Sequence, residues 1–285
     1  MQINWPVNLV EEIAYRRCVL FLGAGISATS KNDLGESPKK WGEFIQDAVT
    51  LLHSPTEDKL KFIKKMIEQG NYLLALQSIY DSCDPGNYAN YLRQVYSRPN
   101  YKASQVHELI KSIDSKIVIT TNFDKIYENL CNEHGYTTAM YRDIERISTN
   151  MKSTENLIIK AHGSIDDVDS LVFTQKQYYK ARKDYPQFYQ ILNALFITKT
   201  IVFLGYSLND PDINLVLETV GNASSSSSPH YVVVKQGVDE EIKKYWRECY
   251  NIYPLEYGPT YQDLDENILR LHEKVREYRE IKRLP

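Results

Sequence analysis

Cys18-Val-Leu-Phe-Leu-Gly-Ala-Gly-Ile-Ser27 sets a short apolar run against two glycines and a small hydroxyl residue. The run reads as a buried strand, and the residues after it as a tight turn that opens a helix. Such a turn lets backbone N–H groups approach a phosphate with no Cβ in the way, and the helix dipole favours the negative charge. The same layout recurs further along. Thr120-Thr-Asn-Phe-Asp124, Ala161-His-Gly163 and Leu204-Gly-Tyr-Ser-Leu-Asn-Asp210 each follow an apolar run of strand character.

Further strand-like runs lie at 116–121, 156–160, 170–173, 199–204 and 230–234, with a weaker one at 251–255. Helical patterns alternate with them at 123–134, 175–182, 187–198, 211–220, 238–249 and 262–282. Strands alternating with helices predict an α/β fold, a Rossmann-like, mostly parallel sheet with helices on both faces. Between 28 and 115 the pattern changes. Trp41–Leu52, Glu57–Gln69, Tyr72–Tyr80, Tyr88–Tyr96 and Ser104–Ile113 read as successive helices separated by Pro, Gly or Asp-Pro-Gly. The expected organisation is therefore one sheet domain from 1–27 and 116–285, with a helical insertion at 28–115 between the first two strands. That insertion is expected over the carboxyl edge of the sheet. The serine-rich stretch 221–229 reads as a surface loop, and the mixed-charge helix 262–282 as a solvated face with Leu264, Ile268, Leu271 and Val275 inward.

The chain has 285 residues and a formal net charge of −3, which disfavours a general nucleic-acid binder. No apolar run approaches the ~20 residues that span a bilayer. Met1-Gln-Ile-Asn-Trp-Pro6 lacks the layout of a secretory leader. Cys18, Cys83, Cys131 and Cys249 stand singly, with no C-x-x-C pair, as reduced thiols of a cytoplasmic protein do. No zinc site is expected, and Asp166, Asp167 and Asp169 read as a solvated turn. The 22 tyrosines follow no repeat.

In an open parallel sheet, ligands sit outside the carboxyl ends of the strands, and all four motifs fall there. Each also has a plain structural reading. Asn122 and Asp124 suit a helix N-cap, His162 a loop histidine, Gly205-Tyr-Ser207 a simple turn, and Asn209-Asp-Pro211 a helix start. Taken together and in order, Gly-Ala-Gly-Ile-Ser, Thr-x-Asn-φ-Asp, His-Gly and Gly-x-Ser-Leu resemble the NAD-binding core of the sirtuin (Sir2) family. The resemblance covers 18–27 and roughly 116–235; the helical insertion has no counterpart in it.

The resemblance implies roles residue by residue. Gly23, Ala24, Gly25 and Ser27 would line the NAD phosphates and adjoining ribose, with Thr121 among the NAD contacts. Asn122 would contact the nicotinamide ribose and position the nucleophile, and Asp124 would hold the carboxamide. His162 would be the general base, and Gly205 and Ser207 would contact the adenosine half and phosphates. The departures narrow the activity. No cysteine lies between 163 and 204, where protein deacylases of the family carry a zinc ribbon. Leu171-Val-Phe-Thr174 is a poor match to their peptide-clamping strand, and Ala28-Thr-Ser-Lys-Asn-Asp33 replaces their Gly-Ile-Pro-Asp-Phe-Arg.

The chain thus looks like the zinc-less SIR2-like domains of bacterial anti-phage systems, which degrade NAD. The implied reaction is metal-free hydrolysis of NAD, as substrate, to nicotinamide and ADP-ribose. The alternatives are a deacylase or ADP-ribosyltransferase on the same site, and a non-catalytic NAD or ADP-ribose sensor. A dehydrogenase is disfavoured because no second strand follows at the spacing its acidic residue requires. An NAD-degrading protein harms its own cell, so activity gated by a homo-oligomer or a second defence protein is expected, with the insertion as the gate.

Overall fold

The computed structural model describes residues 1–39, 41–132, 135–208, 210–223 and 228–284. Asn209 and residues 224–227 of the serine-rich stretch lie outside the described residues, and residues 221–223, expected in that loop, end a helix instead. Seven strands make one sheet: β1 (Cys18–Leu22), β2 (Ile117–Thr120), β3 (Tyr136–Met140), β4 (Asn156–Lys160), β5 (Thr200–Leu204), β6 (His230–Lys235) and β7 (Ile252–Tyr257). Their order is β3-β4-β2-β1-β5-β6-β7, and every pairing is parallel. The chain places β2 to β4 on one side of β1 and then crosses to β5 on the other, so the switch point of the sheet lies at β1 and β5.

The helices in chain order are α1 (Val7–Ala14), α2 (Ala24–Ser27), α3 (Trp41–Ala48), α4 (Glu57–Glu68), α5 (Tyr72–Tyr80), α6 (Pro85–Tyr96) and α7 (Gln105–Ser112). After β2 come α8 (Ile126–Cys131), α9 (Ile144–Lys152), α10 (Gln175–Asp184) and α11 (Pro186–Thr198). The chain closes with α12 (Pro211–Ala223), α13 (Glu240–Tyr250) and α14 (Tyr261–Lys282).

β1 is buried along its whole length, as a central parallel strand covered on both faces must be. Its alternate residues therefore enter two different cores. Val19 and Phe21 pack with Ile117, Ile119, Ile201 and Phe203 beneath α10 to α13. Cys18, Leu20 and Leu22 pack on the other face with α1, α7 and the apolar stripe Leu264, Ile268, Leu271 and Val275 of α14. A third core belongs to α3 to α6, where Phe44, Ile45, Leu76, Ile79 and Leu92 meet Phe123, Ile165, Leu171 and Phe173. Those last four residues sit on the loops that follow β2 and β4. Helices α3 to α6 thus rest on the rim loops, whereas α7, which follows them before β2, packs on the sheet face against α14.

Helices α1 and α9 had no counterpart in the sequence-based expectation, and the strands differ from it in two places. The run 170–173 is a buried loop, not a strand. Val172 N–H donates to His162 O (3.1 Å), and Gln177 Oε1 accepts from Phe173 N–H (2.9 Å), so its backbone bonds go to a turn and a helix cap. Strand β3 was not expected. It is an edge strand whose residues are mostly half-exposed, so Tyr136-Thr-Thr carries no continuous apolar run.

Two buried histidines make stability depend on pH. Burial lowers His107 and His230 from 6.5 to about 4. The unfolded chain then takes up protons first as pH falls, so this stability is whole above about 6.5 and is lost towards about 4. Full loss is of order 3 kcal/mol for each. Glu128 and Asp212, raised by burial, act in the opposite sense. Denaturant titrations at pH 7.5, 5.5 and 4.5 are expected to show a steep fall; a flat profile contradicts this account.

Candidate functional site

The turn after β1 is built against the turn after β5. Gly23 N–H donates to Leu204 O (2.9 Å) and Gly25 N–H to Gly205 O (2.8 Å). A Cβ on Gly23 would lie 2.5 Å from Gly205 O, and one on Gly25 2.8 Å from Gly205 Cα. Gly205 has φ +61°, and its own Cβ would lie 2.4 Å from Ile26 N. Three glycines at the switch point therefore let two loops touch backbone to backbone. Ala24 and Ser207 are exposed beside that junction, and Leu208 turns through φ 55° directly after it.

From β2 the chain delivers Asn122 and Asp124. Thr120 Oγ1 donates to Leu22 O (2.9 Å) and accepts from Asn122 N–H (3.1 Å), which fixes the start of the turn. Asn122 Nδ2 donates to Gly23 O (3.0 Å) and to Ser27 Oγ (2.9 Å). Ser27 Oγ in turn donates to Asp124 Oδ2 (2.7 Å), while Asp124 Oδ1 accepts from Ile126 N–H (3.0 Å). Asp124 thus caps the backbone entering α8 with one oxygen and joins Ser27 with the other. Thr121 stands half-buried on the same turn. Ser27, Asn122 and Asp124 line a cavity of about 10 Å³ with His107 and Glu128, room for about one water. Burial keeps His107 neutral near pH 7, and its Nδ1 accepts from Ser104 N–H (3.2 Å), which leaves its proton on Nε2.

His162 follows β4 and is buried (4% exposed). Gly163 beside it has φ +83°, and a Cβ there would lie 2.3 Å from Ser170 O, so this turn too admits glycine alone. The imidazole meets two groups that sequence reasoning did not assign. Its Nε2 lies 3.5 Å from Asp210 Oδ2, and its Nδ1 3.5 Å from Tyr178 Oη. Tyr178 Oη donates to the same Asp210 oxygen (2.8 Å), with its ring edge-on to the imidazole at 5.0 Å. Asp210 Oδ1 accepts from Asp212 N–H (3.0 Å) and Ile213 N–H (3.2 Å). The helix-start reading of Asp210 therefore accounts for one oxygen, and the other faces the histidine. Among the described residues, no group of three or more His, Cys, Asp or Glu is placed to hold a metal ion, and no helix is long and apolar enough to cross a membrane.

Four strand ends, those of β1, β2, β4 and β5, thus converge on one rim with an asparagine, two carboxylates and a histidine. Residues 116–255, which carry three of those four ends, match the family described as SIR2-like domain. That stretch of the chain is similar to the SIR2-like domain family. The fourth strand end, with the glycine turn Gly23–Ser27, precedes the matched residues and is joined to them through the β1 pairings with β2 and β5.

Curated relatives extend the likeness further along the chain. NAD(+) hydrolase ThsA of Enterococcus faecium is 24% identical over 234 residues, covering 81% of this chain and 46% of that protein. Defense-associated sirtuin 2 of Bacillus subtilis is 24% identical over 231 residues, covering 79% of this chain and 22% of that protein. NAD(+) hydrolase ThsA of Bacillus cereus is 18% identical over 232 residues, covering 80% and 45%. The chain spans less than half the length of each of these three relatives. A solved structure of cytosolic 5′-nucleotidase IIIB bound to cytidine overlays 97% of this chain and 94% of its own at 12% identity, with a TM-score of 0.38, too loose a likeness to argue from.

Proposed function

We propose that this SIR2-like domain hydrolyses NAD to nicotinamide and ADP-ribose, as an NAD-depleting effector of antiviral defence. The observation that carries the reading is the convergence of Ser27, Asn122, Asp124 and His162 on one rim, in a domain whose named relatives are NAD(+) hydrolases.

The reaction breaks the bond between nicotinamide nitrogen and ribose C1′. The bonding pair leaves with nicotinamide, which departs as a neutral molecule, and a water oxygen bonds to C1′. Asp124 holds the carboxamide and Asn122 orients the ribose. His162 takes the proton of the attacking water, and Asp210, held by Tyr178, orients its imidazole. Ala24, Gly23, Gly25, Ser27, Thr121, Gly205 and Ser207 line the rest of the substrate. A placed base contributes about 10²–10⁴-fold, and positioning adds to it. No step calls on a metal.

Water is favoured over a peptide as acceptor. Leu171 and Phe173, which stand where a peptide-clamping strand is expected, are buried under α3 to α6, with Phe173 stacked on Trp41 at 4.9 Å. Gating is proposed as well. The Asn122–Ser27–Asp124 hydrogen bonds fill the space around the small cavity, so nicotinamide enters only when they part. The segment 28–115, proposed as a subdomain, rests on Phe123 of that same turn and is the natural lever, moved by self-assembly or by a second defence protein in the cytoplasm.

Incubating the protein with NAD and following nicotinamide and ADP-ribose by chromatography tests the activity; absence of both, with and without assembly, contradicts it. Free turnover by a monomer contradicts the gate. Asp210→Asn keeps an oxygen for the α12 cap but loses the charge. It is expected to lower kcat about ten- to hundredfold with the fold intact; an unchanged kcat removes Asp210 from the mechanism.

A further inference from the structure

Lys160 ends β4, is 1% exposed, and has no part in the chemistry above. Its Nζ donates to Glu128 Oε2 (2.7 Å) on α8, to Phe123 O (3.4 Å) and to Asp124 O. All three ammonium protons have an acceptor. Burial pushes the Glu128 carboxyl up, and the neighbouring Lys160 opposes that shift. Taking two charges out of water is costly, and an apolar pair of similar volume commonly serves a fold as well or better. Filling space therefore does not account for this pair.

What a buried ammonium does here that a methyl cannot is grip two consecutive carbonyls. Those carbonyls belong to the turn that carries Asn122 and Asp124, and Lys160 stands two residues before His162 on the neighbouring strand. We propose that Lys160 is a positioning residue which ties the Asn122–Asp124 turn to the strand bearing His162 and so sets the spacing between the two halves of the site. This rests on the hydrolase reading. Misplacement of reacting groups by about 1 Å costs about a hundredfold in rate, so a tie at this point governs kcat.

The test separates position from stability. Lys160→Met/Glu128→Leu removes both buried charges and is expected to melt close to the wild type. Its kcat for NAD falls about ten- to hundredfold with a smaller change in KM, and hydrogen exchange across residues 121–126 speeds up. A double variant with wild-type kcat and wild-type exchange at 121–126 overturns the proposal. If it does not fold, Glu128→Gln is compared with Lys160→Met/Glu128→Gln. The first keeps the carbonyl grip and is expected to keep protection at 121–126, and the second to lose it; equal protection in both overturns the proposal. Nicotinamide release by the wild type judges the hydrolase reading separately. Should it be absent, the exchange result still shows whether Lys160 positions the turn.

Discussion

His162→Ala is expected to slow nicotinamide release by about 10²–10⁴-fold, the usual worth of a placed general base. The fold should survive, because what ties His162 into the rim is partly backbone: its carbonyl accepts from Val172 N–H, and alanine keeps that bond. The lost side-chain contacts, to Asp210 and Tyr178, are both 3.5 Å long, whereas Tyr178 and Asp210 bond each other at 2.8 Å without it. NAD affinity by calorimetry should change much less than the rate, since the base acts on water and not on the dinucleotide. A variant that keeps more than a third of the wild-type rate would remove His162 from the chemistry. A variant that loses binding and rate together would make it a substrate contact.

Gly205→Ala should damage the protein severely. A non-glycine residue at φ +61° pays the left-handed penalty of about 1–2 kcal/mol. The new Cβ also lies 2.4 Å from Ile26 N, a backbone atom with no flexible end to move aside. Together these predict a loss of about 3 kcal/mol or more, at the severe end for a point substitution. They also predict weakened NAD binding, because the junction of the β1 and β5 turns opens. Gly42→Ala is the control. It sits in α3 with nothing within 4 Å of an added Cβ, so it should be neutral or stabilise by up to about 1 kcal/mol. Equal denaturation midpoints for the two variants would contradict the backbone-contact account.

The sheet was legible because its strands are short apolar runs without polar interruption, which only double-sided burial requires; Cys18–Leu22 and Thr200–Leu204 are buried at every residue. Legibility failed where burial and strand structure part company. Tyr136–Met140 pairs on one side only and stays half-exposed, so it carries no such run. Leu171–Phe173 carries one because helices α3 to α6 cover it, not because it pairs. In the site, Asn122, Asp124 and His162 were named from motif order, and that order cannot show which atoms meet. Tyr178 lies 16 residues from His162 and 32 from Asp210, and only the packing of α10 against the β5 loop brings the three together. The glycine turn was read as a phosphate cradle, yet the N–H groups of Gly23 and Gly25 are bonded to the β5 turn, so the closeness of two loops is what those glycines first provide.

Trp41 gives the molecule an optical handle. Of the three tryptophans, Trp5 and Trp246 are buried at the sheet faces, whereas Trp41 lies at the seam between the helical layer and the rim, ring over ring with Phe173. Displacing that layer would unstack this indole and wet it while leaving the other two untouched. Its emission would then move to longer wavelength in step with the seam, so the timing of any opening is readable in the unlabelled protein, before and independently of product formation.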